Sequence, residues 1–167
     1  LKATNINSGF KKSKLPDVKI EIDCRFMNNA PFYVNWNFNV LDKSDGFNIQ
    51  GKLTNFQTEQ MNAFTKPYMN FTTKGVFNEV RFNFRGNDVK SSGNFALKYD
   101  DLDVTVFQKE SRKKKNKVLS FIANIFVKKD SDEKVKEVTV EVERNQEKSF
   151  FNYLWINVAE GLKKILI

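Results

Sequence analysis

Hydrophobic and polar residues alternate along most of this chain with a period of two. The segment DVKIEIDCRF, Asp17 to Phe26, puts Val18, Ile20, Ile22, Cys24 and Phe26 on one side and Asp17, Lys19, Glu21, Asp23 and Arg25 on the other. That pattern predicts a strand with one face in water. Asn28, Asn29 and Pro31 predict a turn, after which Phe32, Val34, Trp36, Phe38 and Val40 alternate with Asn35, Asn37 and Asn39 up to Leu41. Ser44, Asp45 and Gly46 turn the chain again into Phe47, Ile49, Gly51 and Leu53, as short polar turn residues do between antiparallel strands. In NFQTEQMNAFTKP the period lengthens. Phe56, Gln60, Met61 and Phe64 share a face there, which predicts a short helix near 55–65 with Pro67 at its exit. Strand patterns resume at Tyr68 to Lys74 and Phe77 to Arg85, then, beyond the turn Gly86 to Asp88, at Phe95 to Tyr99 and Leu102 to Val106.

The last third carries a basic loop at 111–117, a largely apolar helix at 118–127, a strand at 134–144 with Val138, Val140 and Val142 inward, and a terminal helix at 149–167 capped by Ser149. Residues 1–16 read as an irregular lead-in, and 17–110 as sheet. The expected fold is mainly β within the α+β class: a curved antiparallel meander of about seven to eight strands, with one short helix and two late helices packed on its apolar face. All 167 residues fit one domain, since domains cluster at roughly 100–200 residues. The start at Leu1 rather than Met, with no charged-then-apolar leader, leads us to expect a fragment of a longer protein or a processed form.

On a helical wheel Phe151, Leu154, Trp155, Val158, Ala159, Leu162, Ile165 and Leu166 form one stripe, opposite Asn152, Asn157, Glu160, Lys163 and Lys164. Leaving such a stripe in water would forgo on the order of 10 kcal/mol. It belongs either on a membrane surface or on the sheet. The sparse basic residues favour the sheet, where Gly161 would permit a close approach to a strand, and Tyr153, Ile156 and Ile167 are left outside.

Composition narrows the chemistry. There is no histidine and a single cysteine, Cys24, which sits at an inward strand position and reads as a small buried hydrophobe. Histidine-dependent triads, His/Cys zinc sites and an intrachain disulfide are thereby removed. The cluster Asp100, Asp101 and Asp103 falls where two strands join and reads as a solvated turn. Of the net charge of +8, six basic residues fall within Lys109 to Lys117. Because the aromatics alternate out of phase with the charges, a nucleic-acid surface is not expected. The 17 phenylalanines exceed what a core of this size requires. No catalytic residue and no cofactor are expected.

Two blocks, FNFRGNDVKSSGNFALKYDDLDVTVFQK and LSFIANIFVKK followed by ERNQEKSFFNYLWINVAEGLKKIL, resemble the C-terminal region of AsmA-like proteins of the Bacteroidetes type, relatives of the TamB and YhdP envelope proteins. The resemblance rests on a Gly-Asn-Asp hairpin, a Tyr-Asp-Asp-Leu strand entry, a basic loop, an Ala-Asn helix and a Phe-Phe-x-x-x-Trp helix with a downstream Gly. It implies a non-enzymatic module in the periplasm or cell envelope, held to the inner membrane by an anchor outside this chain. It also implies a part in phospholipid movement between membranes or in outer-membrane biogenesis, through an apolar sheet face that holds phospholipid or another acyl-chain ligand. Phe32, Trp36, Phe38, Phe47, Phe82 and Phe84 are the candidate lipid contacts, and Phe151, Leu154, Trp155, Val158 and Leu162 the candidate lid. The alternative is a sealed core in a protein-interaction module, with a homo-oligomer through a sheet edge left open.

Overall fold

The computed structural model describes residues 1–7, 14–107, 130–131 and 134–166. The expected basic loop at 111–117 and helix at 118–127 lie outside the described residues. Seven strands form one open antiparallel sheet in chain order: β1 (Lys2–Thr4), β2 (Asp17–Phe26), β3 (Ala30–Asn39), β4 (Phe47–Gln57), β5 (Phe71–Gly86), β6 (Lys90–Val106) and β7 (Lys136–Glu143). A 3-10 turn at Thr58–Met61 leads into α1 (Asn62–Met69), and the chain closes with α2 (Phe150–Leu166).

The apolar positions of successive strands pair in rows. Val18 lies opposite Phe38 and Phe38 opposite Phe47; Ile20 lies opposite Trp36 and Trp36 opposite Ile49. Leu53, Val80 and Leu97 form a further row, and Phe56, Phe77 and Tyr99 another. In β4 and β5 these last two rows are three residues apart, a spacing that would place them on opposite faces of a regular strand. Asn55, in a left-handed conformation at φ 52°, and a register shift between Phe77 and Glu79 absorb the extra residue. All six side chains therefore join one core, as bulges allow.

Bulges also correct three expectations. The two strands expected on either side of Gly75 are one, β5, because Gly75 at φ 123° fits against the Asp101 carbonyl and lets the ladder continue. Phe95 to Val106 likewise belongs to one strand, β6, with Asp101 at φ 51° forming the opposite bulge. Asp100, Asp101 and Asp103 thus sit in a continuous strand rather than a turn, and Asp100 accepts a hydrogen bond from Asn78 Nδ2 at 3.0 Å. The short helix begins later than expected, since Phe56 is still sheet, and Pro67 lies inside α1 rather than beyond it. Asn62 holds that helix to β5: its amide donates to the Thr73 carbonyl and accepts from the Thr73 N–H, both at 2.8 Å. Asn70, left-handed at φ 55°, ends α1, as a helix C-terminus favours.

Helix α2 begins at Ser149, whose Oγ accepts from the Asn152 N–H at 3.2 Å. The stripe it buries is Tyr153, Asn157 and Gly161, not the one centred on Phe151 and Trp155. Gly161 rests against the ring of Phe95 on β6. Asn157 accepts from Ser91 Oγ at 2.9 Å and donates to the Tyr153 carbonyl at 3.0 Å. Close approach of helix to sheet requires small or hydrogen-bonded residues in the middle of the contact, and that need outweighs the gain from centring the largest apolar side chains. Phe150, Leu154, Val158, Leu162, Ile165 and Leu166 pack along its margins.

Candidate functional site

At one end of the sheet the β3–β4 turn, the β5–β6 turn and the β7–α2 connection meet. Asp88 N–H donates to the Ser44 carbonyl at 2.9 Å, Arg144 N–H to the Val89 carbonyl at 2.8 Å, and Gln146 Nε2 to the Asp88 carbonyl at 3.2 Å. Asp42 braces the first turn by accepting from the Ser44 N–H and hydroxyl and from the Gly46 N–H. The Ser44 donors above all hold its carboxyl below the usual aspartate range; hydrogen bonding to the charged form has this effect.

These connections frame a cavity of about 660 Å³. Its apolar wall is Trp36, Phe38, Val40, Phe47 and Phe150, and its polar rim includes Asp45, Asp88 and Arg144. The Trp36 and Phe150 rings stack at 4.9 Å with 9° between planes, and Phe47 meets Phe150 edge-on at 5.0 Å. Tyr153 completes the wall, its ring 5.9 Å from Phe47 and 5.0 Å from the Arg144 guanidinium. Two residues of this wall carry buried polar atoms with no hydrogen-bond partner among the described residues, Trp36 Nε1 and Tyr153 Oη. Burial pushes the Tyr153 phenol pKa up, while neighbouring Ser91 and Arg144 act in the other direction. Ser91 donates its hydroxyl proton to Asn157, and the phenol oxygen makes no hydrogen bond within range among the described residues. Arg144 Nη1 donates to the Ser149 carbonyl at 3.0 Å and makes no ion pair among the described residues. A cavity of this size, with aromatic walls and a few polar groups, has the form of a small-ligand site.

Of the six residues expected to touch a ligand, Trp36, Phe38 and Phe47 come together here. The other three do not. Phe32 packs edge-on against Phe26 at 5.9 Å, at the far end of β3. Phe82 covers Gly51 and stacks on Phe84 at 5.3 Å. Phe84 is 0% exposed and belongs to the sealed core, because the middle of the sheet is where packing is complete.

The candidate lid splits in the same way. Leu154, Val158 and Leu162 pack against the core, whereas Phe151 and Trp155 face outward, exposed by 73% and 38%. Tyr153, expected on the outside, is 2% exposed. Cys24 is exposed, not buried, since it lies opposite Phe32 on β2, away from the strands that α2 covers. The sequence pattern missed Phe150, Tyr153, Arg144 and Gln146. The signal available was the four-residue spacing of Tyr153, Asn157 and Gly161, one aromatic and two residues suited to close packing.

Among the described residues no group of three or more acidic, cysteine or histidine side chains could hold a metal, and no helix is long and apolar enough to cross a membrane. Comparison with protein-family models, curated proteins and solved structures finds no match.

Proposed function

We propose that the chain is a non-enzymatic binding module that holds an acyl-chain amphiphile at the open end of its apolar sheet face, as part of an AsmA-like protein of the cell envelope. The observation that carries this reading is the cavity of about 660 Å³ walled by Trp36, Phe38, Phe47 and Phe150 with Arg144 at its rim. An apolar tail would lie against the four rings, and an anionic head would pair with the guanidinium, which a planar cation does well. The resemblance to the AsmA-like C-terminal region agrees with a role in lipid transport or outer-membrane biogenesis from the periplasmic side.

Native mass spectrometry of the full chain, with titration of a labelled fatty acid and a labelled phospholipid, tests the reading. One bound amphiphile, lost in Phe38→Glu, is expected. A lipid-free protein that takes up neither probe would overturn it and leave the second reading, an interaction module with a sealed core. That alternative draws on the complete burial of Phe84, Phe95, Leu97 and Tyr99.

A further inference from the structure

The cavity at Trp36 has charges of both signs in its lining: Asp45 on the β3–β4 turn, Asp88 on the β5–β6 turn and Arg144 on the β7–α2 connection. Neighbouring Asp42 gives both carboxylate oxygens to the Ser44 and Gly46 donors. Asp45 and Asp88 differ from it. Among the described residues neither of their carboxylates accepts a hydrogen bond, and neither joins an ion pair with Arg144 or with any other cation. Their backbones are nevertheless fixed around one mouth. Asp88 N–H donates to the Ser44 carbonyl and Arg144 N–H to the Val89 carbonyl, while Asn87 Oδ1 accepts from the N–H groups of Val89 and Lys90.

Two carboxylates against one guanidinium give the lining an acidic excess. A purely anionic head would meet Arg144 and at the same time face Asp45 and Asp88, a like-charge juxtaposition that costs affinity. A head that carries both signs answers all three side chains. We infer that the amphiphile this cavity takes has a zwitterionic head, its anionic group on Arg144 and its ammonium on Asp45 and Asp88, with a single apolar chain along the aromatic wall. The guanidinium suits a phosphate or carboxylate, and an ammonium is a compact cation with three donors to share. The volume of about 660 Å³ lies within the range of small-ligand pockets, about 300–1,000 Å³, and so admits one chain with its head. The inference rests on the reading of this cavity as an amphiphile site and adds the charge of the head.

Titration of the full chain with lysophosphatidylethanolamine and with lysophosphatidylglycerol of the same acyl chain, both below their micelle concentrations, tests it by native mass spectrometry. The two probes share one chain and one phosphate, and only the first has an ammonium. It should bind about fivefold tighter, as two exposed ion pairs would give. Asp45→Asn/Asp88→Asn should bring the ratio to about one, whereas Arg144→Gln should weaken both probes alike. Asn tolerates the left-handed backbone of Asp45, at φ 54°, and neither carboxylate holds a bond in the protein, so the double variant should keep the parent Tm. Equal binding of the two probes by the parent, or a preference that survives the double variant, overturns the inference and leaves the amphiphile site standing. Binding of neither probe overturns both.

Discussion

Gly161 of α2 lies against the ring of Phe95 on β6, so close that a Cβ at this position would overlap the ring. Helix and strand meet there at the distance only a glycine allows, and the rest of the helix takes its rotation from that contact. Replacing Gly161 by Ala therefore sets two effects against each other. Ala gains about 1 kcal/mol as a helix former, but the overlap forces the helix outward at a cost of about 2–3 kcal/mol. Thermal unfolding should show a net loss of about 1–2 kcal/mol, a Tm lower by several degrees. Gly161→Ala with Phe95→Leu should lose less than the two single variants summed.

Neighbouring phenylalanines at the start of α2 should behave oppositely. Phe150 stacks on Trp36 and is packed against the core, whereas Phe151 is largely in water. Phe150→Ala is expected to cost about 2–3 kcal/mol in urea unfolding, and Phe151→Ala to stay within about 0.5 kcal/mol of the parent. Equal losses at both positions would mean that α2 sits rotated from the orientation described.

Asn157 is buried and bonded to both Ser91 and the Tyr153 carbonyl. Asn157→Ala leaves the Ser91 hydroxyl without its acceptor and should cost about 2 kcal/mol. Ser91→Ala in that background should cost little more, giving a coupling energy of about 1 kcal/mol in a double-mutant cycle.

The Tyr153 phenol is held neutral by burial, so its pKa in the folded chain lies above the value in the unfolded one. Its contribution is complete below the unfolded pKa, near 10, and is lost as pH rises beyond it, because the unfolded chain releases the proton first. Stability measured from pH 8 to 11 should fall more steeply for the parent than for Tyr153→Phe. The same variant removes an unpartnered buried hydroxyl and should be no less stable than the parent at pH 7. Parallel pH profiles would show that the phenol does not titrate with folding.

Several elements were legible from the residues alone. Strand β2 runs from Asp17 to Phe26 as its alternation predicts, and Val138, Val140 and Val142 mark β7 within a residue or two of its ends. Ser149 caps α2, and Gly161 serves the close approach expected of it. The bulges at Asn55, Gly75 and Asp101 were not legible, since a period-two reading takes each break in alternation as the end of a strand. Half of the candidate ligand contacts, Trp36, Phe38 and Phe47, reached the cavity. Phe84 did not, because alternation assigns a side chain to a face without telling which part of that face is covered.

The sequence by itself determined β2, β3 and β7, the antiparallel meander and the apolar side of its strands, because side-chain alternation and turn chemistry are local; it took β1 for an irregular lead-in and divided β5 and β6 at their bulges. It also determined that α2 carries more apolar surface than one contact can use. Only the tertiary structure decided which stripe of α2 meets the sheet. Helix position depends on the closest approach of two surfaces, here Gly161 on Phe95 and Asn157 on Ser91, and a wheel drawn from hydrophobicity gives a glycine and an asparagine no weight. The choice buries Tyr153, turns Phe151 and Trp155 outward, and brings Phe150 against Trp36 to complete the cavity wall.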